Sequence, residues 1–409
     1  MLSLLPTNFV QMLRTQTFLN LNRLQMLIRF GLPWIAEEMV LAAPRRAPKQ
    51  SLIDTWSPYC RIAYETVDLT KAELTLCTVT PSLSSGHRSD GIILFYQGAG
   101  ISVEKSSCLQ NLIDMSLRCQ MPVLAFNQRH VGSSDGYHYS SASLRADLAD
   151  QSQYALSQLD RLRRTGRLSK QAKLYVYGLC QGGVLALCSV GAIIDHPDFA
   201  QIIVTRTPLS FSDMAAHVPK GDYRVLMPTH KVRRQTGSSI SAWLPFIGQS
   251  VRRGAVHLMA NLLSLLPADA RSVFFRSIFR LSRWHIDCRL LVERLAHCDK
   301  IFAIAVHDDE FISDRSDVAY FLKSRQPARV CFMEANVDTP LSEDDKKQRQ
   351  RSSYAPFNTH DGFNAHQDRR LSPHPRHQAW SQHMVMKCSE GRHQLDEYQV
   401  VNGIIAASL

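Results

Sequence analysis

Short apolar runs bounded by turn residues recur along the first half of this 409-residue chain, with helical spacings between them. Residues 62–68 and 72–79 alternate apolar and polar positions with period two and predict an antiparallel pair. Three denser runs follow, at 91–96, 121–126 and 173–178, each continuous enough to be a buried strand. Helical spacing occupies 104–118 and 143–163, and 182–195 is apolar enough for a buried helix. A further strand is expected at 199–205. The alternation then stops, and 211–298 is helical in pattern with proline interruptions. Strands resume at 300–306 and 328–333 around a helix near 314–324, and 395–405 reads as an amphipathic closing helix. Residues 19–40 predict one or two amphipathic helices, 44–50 a linker, and 341–351 a charged loop. Strands alternating with helices imply an α/β class with a mostly parallel central sheet.

Turn chemistry narrows this reading. Tyr175-Val176-Tyr177 enters Gly178-Leu179-Cys180-Gln181-Gly182-Gly183, and Val184-Leu185-Ala186-Leu187 leaves it. A strand running into a sharp turn that a helix leaves is the layout of a nucleophile elbow, with Cys180 in the place often held by serine. Such a turn strains the nucleophile's backbone, so the positions two before and two after it must be small. Gly178 and Gly182 meet that demand, and Gly183 lets the helix pack closely. The helix N-terminus favours a thiolate at Cys180. Upstream, run 91–96 ends in Gln97-Gly98-Ala99-Gly100. Run 121–126 ends in Asn127-Gln128-Arg129-His130-Val131-Gly132-Ser133-Ser134-Asp135-Gly136.

On these three motifs, in this order, the chain resembles the α/β-hydrolase superfamily, clearly over 60–210 and more loosely over 300–409. That superfamily's second loop reads D-x-R-G-x-G-x-S-x-G. Arg129, Gly132, Ser134 and Gly136 match it, while Asn127 and His130 stand where Asp and Gly are usual. The elbow is similar to those of dienelactone hydrolases and polyhydroxyalkanoate synthases, two groups with Cys-His-Asp triads; lipase-like proteins with large caps are a further comparison. The resemblance implies an α/β-hydrolase fold: a mostly parallel central sheet flanked by helices, with a helical cap insertion. It divides the chain into an N-terminal helical extension (1–50), the first part of the core (51–210), a basic helical cap or lid (211–298) and the second part of the core (299–409).

The resemblance further implies the order nucleophile, acid, histidine. Asp309, just after strand 300–306, is the preferred acid, because 199–205 and 300–306 then take the sixth and seventh strand places. Asp338, after the following strand, and Asp308 are the alternatives. His366 is the preferred histidine, with His393 and His360 as alternatives. The backbone N–H groups of Gln181 and Ala99 are the expected oxyanion donors, and Asn127, Arg129 and 132–136 are expected to buttress the site. In such a triad the imidazole takes the thiol proton and the carboxylate fixes its tautomer. The implied activity is cleavage of an acyl or lipid-like ester or thioester through an acyl-enzyme. Acyl transfer is its near variant, and a catalytically silent fold that binds a membrane or partner is the alternative class.

Composition adds bounds. A hydrophobic content of 45% excludes wholesale disorder. Of the net charge of +11, most lies in 211–298, which holds thirteen Lys/Arg against five Asp/Glu. A basic, aromatic-rich segment suits a lipid-like substrate or peripheral contact with an anionic membrane. No nucleic-acid motif accompanies the charge, so no nucleic-acid partner is expected. The ten cysteines show neither CxxC nor zinc-ligand spacing and sit in apolar runs, which predicts a reduced, intracellular chain without metal or cofactor. No apolar stretch reaches about 18 residues, so no transmembrane helix is expected. The N-terminal segment lacks an early basic region, so no cleavable signal is expected either; the location implied is cytoplasmic or peripheral, with non-classical export left open.

Overall fold

The two alternating segments form β1 (Cys60–Leu69) and β2 (Ala72–Pro81), paired antiparallel over their full length. The continuous apolar runs become β3 (Ser89–Tyr96), β4 (Val123–Phe126), β5 (Leu168–Leu179) and β6 (Phe199–Thr205). β7 (Ile301–His307) and β8 (Val330–Ala335) follow, then the short β9 (Met386–Cys388). All nine belong to one sheet, in the order β1-β2-β4-β3-β5-β6-β7-β8-β9. Pairing is parallel from β4 through β3, β5, β6 and β7 to β8, and antiparallel at β1–β2, β2–β4 and β8–β9. The structure is a computed structural model that describes residues 47–70, 72–82, 89–98, 101–129, 131–136, 138, 140–216, 266–307, 312, 316–335 and 386–388.

Helices cover both faces. They are α1 (Gln50–Trp56), α2 (Ser106–Cys119), α3 (Ser141–Arg164), α4 (Gln181–Val190), α5 (Phe211–Ala216), α6 (Ala268–Leu281), α7 (Arg289–His297) and α8 (Val318–Lys323). Strand periodicity splits the core in two. Ile92, Leu94, Leu174 and Val176 face a cluster with α3, α4, α6, α7 and α8, whereas Ile93, Phe95, Tyr175 and Tyr177 face one with α1 and α2. Burial of both faces is why these strands read as continuous apolar runs rather than alternating ones. The 24-residue α3 starts where the Ser140 hydroxyl accepts the Ser143 N–H at 3.3 Å and ends in Arg161, Arg163 and Arg164, which complement its dipole.

Three local expectations need correction. Residues 47–49 of the segment read as a linker are irregular, and α1, a helix that was not expected, begins at Gln50. Only Leu52 of α1 is fully buried, too little to give the sequence a helical period. Helix α4 ends at Val190, with Gly191 as its C-cap and turns over 191–195 in place of the expected last turn. Strand β9 was not expected; three residues are too few to show a period. The sequence reading of 19–40, 341–351 and 395–405 lies outside the described residues. Among the described residues, no helix is long and apolar enough to cross a membrane.

Candidate active site

The parallel strands carry their carboxyl ends to one edge of the sheet, where a ligand crevice forms in open α/β sheets. At that edge, between β5 and α4, Cys180 adopts φ 55° and ψ −123°. A non-glycine residue in this region is strained by about 1–3 kcal/mol, and surrounding contacts must hold it there. Two hydrogen bonds do so: the Cys180 N–H donates to Thr205 O at 2.8 Å, and the Gly183 N–H donates to Cys180 O at 2.9 Å. The glycines are required by space. A Cβ on Gly182 would overlap the carbonyl oxygens of Tyr96 and Gln97 and lie 2.5 Å from the Tyr96 carbonyl carbon. One on Gly178 would lie 2.5 Å from Gly183 Cα and 2.7 Å from Ala186 Cβ, and one on Gly183 would run into Thr207. The third glycine therefore serves the approach of α4 to the residue beyond β6, a refinement of its expected packing on a strand.

Cys180 is partly accessible and caps the N-terminus of the ten-residue α4. The first N–H groups of a helix have no acceptor inside it, and they point toward the capping position. Gln181 is the first residue of α4. Contact between Gly182 and the Tyr96 and Gln97 carbonyls brings the start of the 97–100 turn against the elbow. Ala99, in that turn, lies outside the described residues, as do Asp309, Asp308, Asp338, His366, His393 and His360. The strand places behind the choice of acid are observed: 199–205 is the sixth strand and 301–307 the seventh. Asp309 follows β7 by two residues in the sequence.

Two loops beside the elbow are tied by a buried polar knot. Asn127 Oδ1 accepts the Val103 N–H at 2.8 Å, and its Nδ2 donates to both Glu104 carboxylate oxygens at 2.9 Å. Glu104 also accepts the Ser133 N–H at 3.0 Å, and Ser134 Oγ accepts the Thr75 N–H at 2.8 Å. This explains the departure at Asn127: an aspartate there would set a second buried carboxylate against Glu104, whereas the amide donates to it. Arg129 makes a bidentate pair with Asp147 of α3, at 2.7 and 2.8 Å. Sequence reasoning missed both carboxylates. The helical spacing of 104–118 puts Glu104 in a helix, whereas α2 begins at Ser106, and the available signal for Asp147 is a charge on the apolar face of α3, three residues after Leu144.

His138, fully buried, packs edge-on against Trp284 with ring centroids 6.3 Å apart. Its Nε2 is 3.8 Å from Asp147 Oδ2, yet Asp147 is committed to Arg129 through both oxygens. Burial, helped by the Arg129 charge, pushes the imidazole down to about 3, so His138 is neutral at physiological pH. Among the described residues, no group of three or more His, Cys, Asp or Glu side chains could hold a metal ion.

The strand order and the strained cysteine between β5 and α4 together decide the architecture. The fold is that of the α/β-hydrolases. No protein-family model matches the sequence. No curated protein matches it either. Among solved structures it is similar to an esterase of Pyrococcus furiosus, with 14% identity, a TM-score of 0.40, and coverage of 76% of this chain and 95% of that one. It is also similar to a hyperthermophilic esterase of Pyrobaculum calidifontis (13% identity, TM-score 0.39, covering 81% and 92%). Carboxyl esterase 2 of Tuber melanosporum is similar at 10% identity and a TM-score of 0.42, covering 71% and 80%. Likenesses this distant bear on neither substrate nor mechanism; the α/β-hydrolase assignment stands on topology and the elbow.

Proposed function

We propose that this α/β-hydrolase cleaves acyl esters or thioesters through Cys180. The observation that carries the proposal is the backbone of Cys180 at φ 55° and ψ −123° on the cap of α4, since a strained non-glycine residue held by glycine-only packing is retained where its side chain must be presented. In this reading Asp309 orients His366, and His366 takes the thiol proton as sulfur attacks the acyl carbon. The tetrahedral oxyanion is held by the backbone N–H groups of Gln181 and Ala99. The leaving alcohol or thiol takes the proton from the imidazolium, and water then releases the acid by the same route. Acyl transfer differs only in the final acceptor. In this reading the expected cap, 211–298, covers the thiol and shapes the acyl pocket through 217–265, which lie outside the described residues, since α5, α6 and α7 pack into the core.

The experiment is turnover of p-nitrophenyl acyl esters of graded chain length, with Cys180→Ala alongside. A chain-length optimum that vanishes in the variant supports the reading; equal turnover by the variant refutes it.

A second reading has one observation in its favour. On α6, Val273 and Leu281 are 64% and 60% exposed and share the solvent side with Arg276 and Arg280, an apolar and cationic face suited to anionic lipid headgroups. Flotation with phosphatidylcholine vesicles, with and without phosphatidylserine, tests it. Phosphatidylserine-dependent binding weakened by Val273→Ser with Leu281→Ser supports peripheral membrane contact, and no binding at low salt refutes it.

A further inference from the structure

Helix α2 is buried on every side. All nine residues from Cys108 to Ser116 are buried, which is more than two full turns. Its inner side faces the sheet. Leu109, Leu112 and Ile113 pack in the cluster with Val79, Ile93 and Val123, and the Ser116 hydroxyl donates to Val79 O of β2 at 3.3 Å. A helix turns by about 100° per residue, so Asn111 and Asp114 then point away from the sheet, with Gln110 beside them. The Gln110 amide donates to Asp114 Oδ1 at 2.9 Å, as two residues on one face would. Yet Gln110, Asn111 and Asp114 are only 6%, 2% and 5% exposed. Side chains of these types stay mostly in water unless something packs over them. The outer face of α2 is therefore a contact surface.

Where the chain enters and leaves the fold selects what covers it. Both ends of 217–265 leave from the opposite side of the sheet, since Phe211 and Ala216 of α5 and Phe275 and Phe279 of α6 pack in the other cluster. The chain beyond β8 and β9 departs from the far edge, whereas β2 and β4, beneath α2, lie toward the β1 edge. The chain before α1 enters beside α2: Leu52, Ile53 and Trp56 pack in the same cluster as Cys108, Leu109 and Leu112. Its chemistry also fits. Residues 1–46 carry Arg14, Arg23, Arg29, Arg45 and Arg46 against Glu37 and Glu38, and the outer face of α2 offers the Asp114 carboxylate. Leu21, Leu24 and Ile28 recur at helical spacing. Reach is sufficient, because residues 41–49 span up to about 30 Å when extended and the 14-residue α2 is about 21 Å long.

We propose that residues 19–40 dock as a helical cover on the outer face of α2, over Gln110, Asn111 and Asp114. The apolar stripe of the cover packs along the helix, and its arginines lie toward Asp114. The cover braces the helix that begins just after Glu104, whose carboxylate accepts from Asn127 in the knot beside the elbow. This docking is independent of any chemistry at Cys180.

The test uses the full chain with the photoreactive residue p-benzoylphenylalanine in place of Gln110 or, in a second protein, of Arg118 at the half-buried rim of the same face. The second protein keeps the test decisive if the first fails to fold. After irradiation of dilute protein and peptide mapping by mass, cross-links are expected to fall within residues 19–40 of the same molecule. Cross-links concentrated in any other stretch of the chain would overturn the proposal. So would cross-links between two copies, or none from the folded protein substituted at Arg118.

Discussion

Acidification should destabilise this protein well before its carboxylates titrate, because of His138. In the unfolded chain its imidazole titrates near 6.5, whereas in the folded chain burial and Arg129 push it down to about 3. The folded state therefore binds fewer protons between these values. Its stability is complete above pH 6.5 and falls as pH drops toward 3. The linkage integral over that window gives a loss of about 2 kcal/mol by pH 5 and about 3 kcal/mol by pH 4. Groups facing the ring are Arg129, Asp147, Ser143 and Trp284; Asp147 is already neutralised by Arg129, so little there supports an imidazolium. The perturbation is His138→Gln, which removes the titration and keeps a polar side chain of similar reach. Urea unfolding at half-unit steps from pH 7.5 to 4.5, for both proteins, isolates the histidine as the difference between two slopes. The variant is expected to lose about 2 kcal/mol less than the wild type over pH 7.5 to 5, whatever its stability at neutral pH. Parallel curves would refute the argument, since they would mean that His138 binds its proton equally in both states.

Other consequences follow from the same geometry. Gly182→Ala puts a methyl group against the Tyr96 and Gln97 carbonyls, so we expect a loss of about 3 kcal/mol and abolished ester turnover, read by thermal unfolding and initial rates. Asn127→Asp places a carboxylate against Glu104 and should cost about 3 kcal/mol at pH 7; adding Glu104→Gln should recover more than about 1 kcal/mol in a double-mutant cycle. Asp198 is held down at about 2 by Arg163, which it meets at 2.7 Å. Arg163→Gln should cost about 1–2 kcal/mol at pH 7, a difference that fades as pH falls from 4 through 2, measured as the gap between two acid-unfolding curves.

Most of the sheet was legible because burial on both faces writes long apolar runs into β3, β5 and β6, and because Gly178, Gly182 and Gly183 have no steric substitute at the elbow. Short elements left no such trace: α1 buries one leucine fully, and β9 spans three residues. At the candidate site, the elbow at Cys180 was legible from its turn, since backbone strain demands neighbouring glycines. The acid and histidine proposed to serve it were not singled out, because stretches between the periodic elements carry no period and sixteen histidines offer many candidates. The buttressing residues were half legible. Arg129 stood out by motif, but its partner Asp147 and the Glu104 that explains Asn127 come from other elements and meet only in three dimensions.

The central claim is that Cys180 forms a thioester with the acyl group, and an acid-quenched acyl-enzyme tests it most directly. The protein would be mixed with a p-nitrophenyl acyl ester, quenched in acid within seconds, digested and mapped by mass, with neutral hydroxylamine to cleave thioesters. The account predicts one acyl group, labile to hydroxylamine, on the peptide carrying Cys180 and absent from Cys180→Ala. An acyl group on Cys188, on a serine, or retained in Cys180→Ala would contradict it.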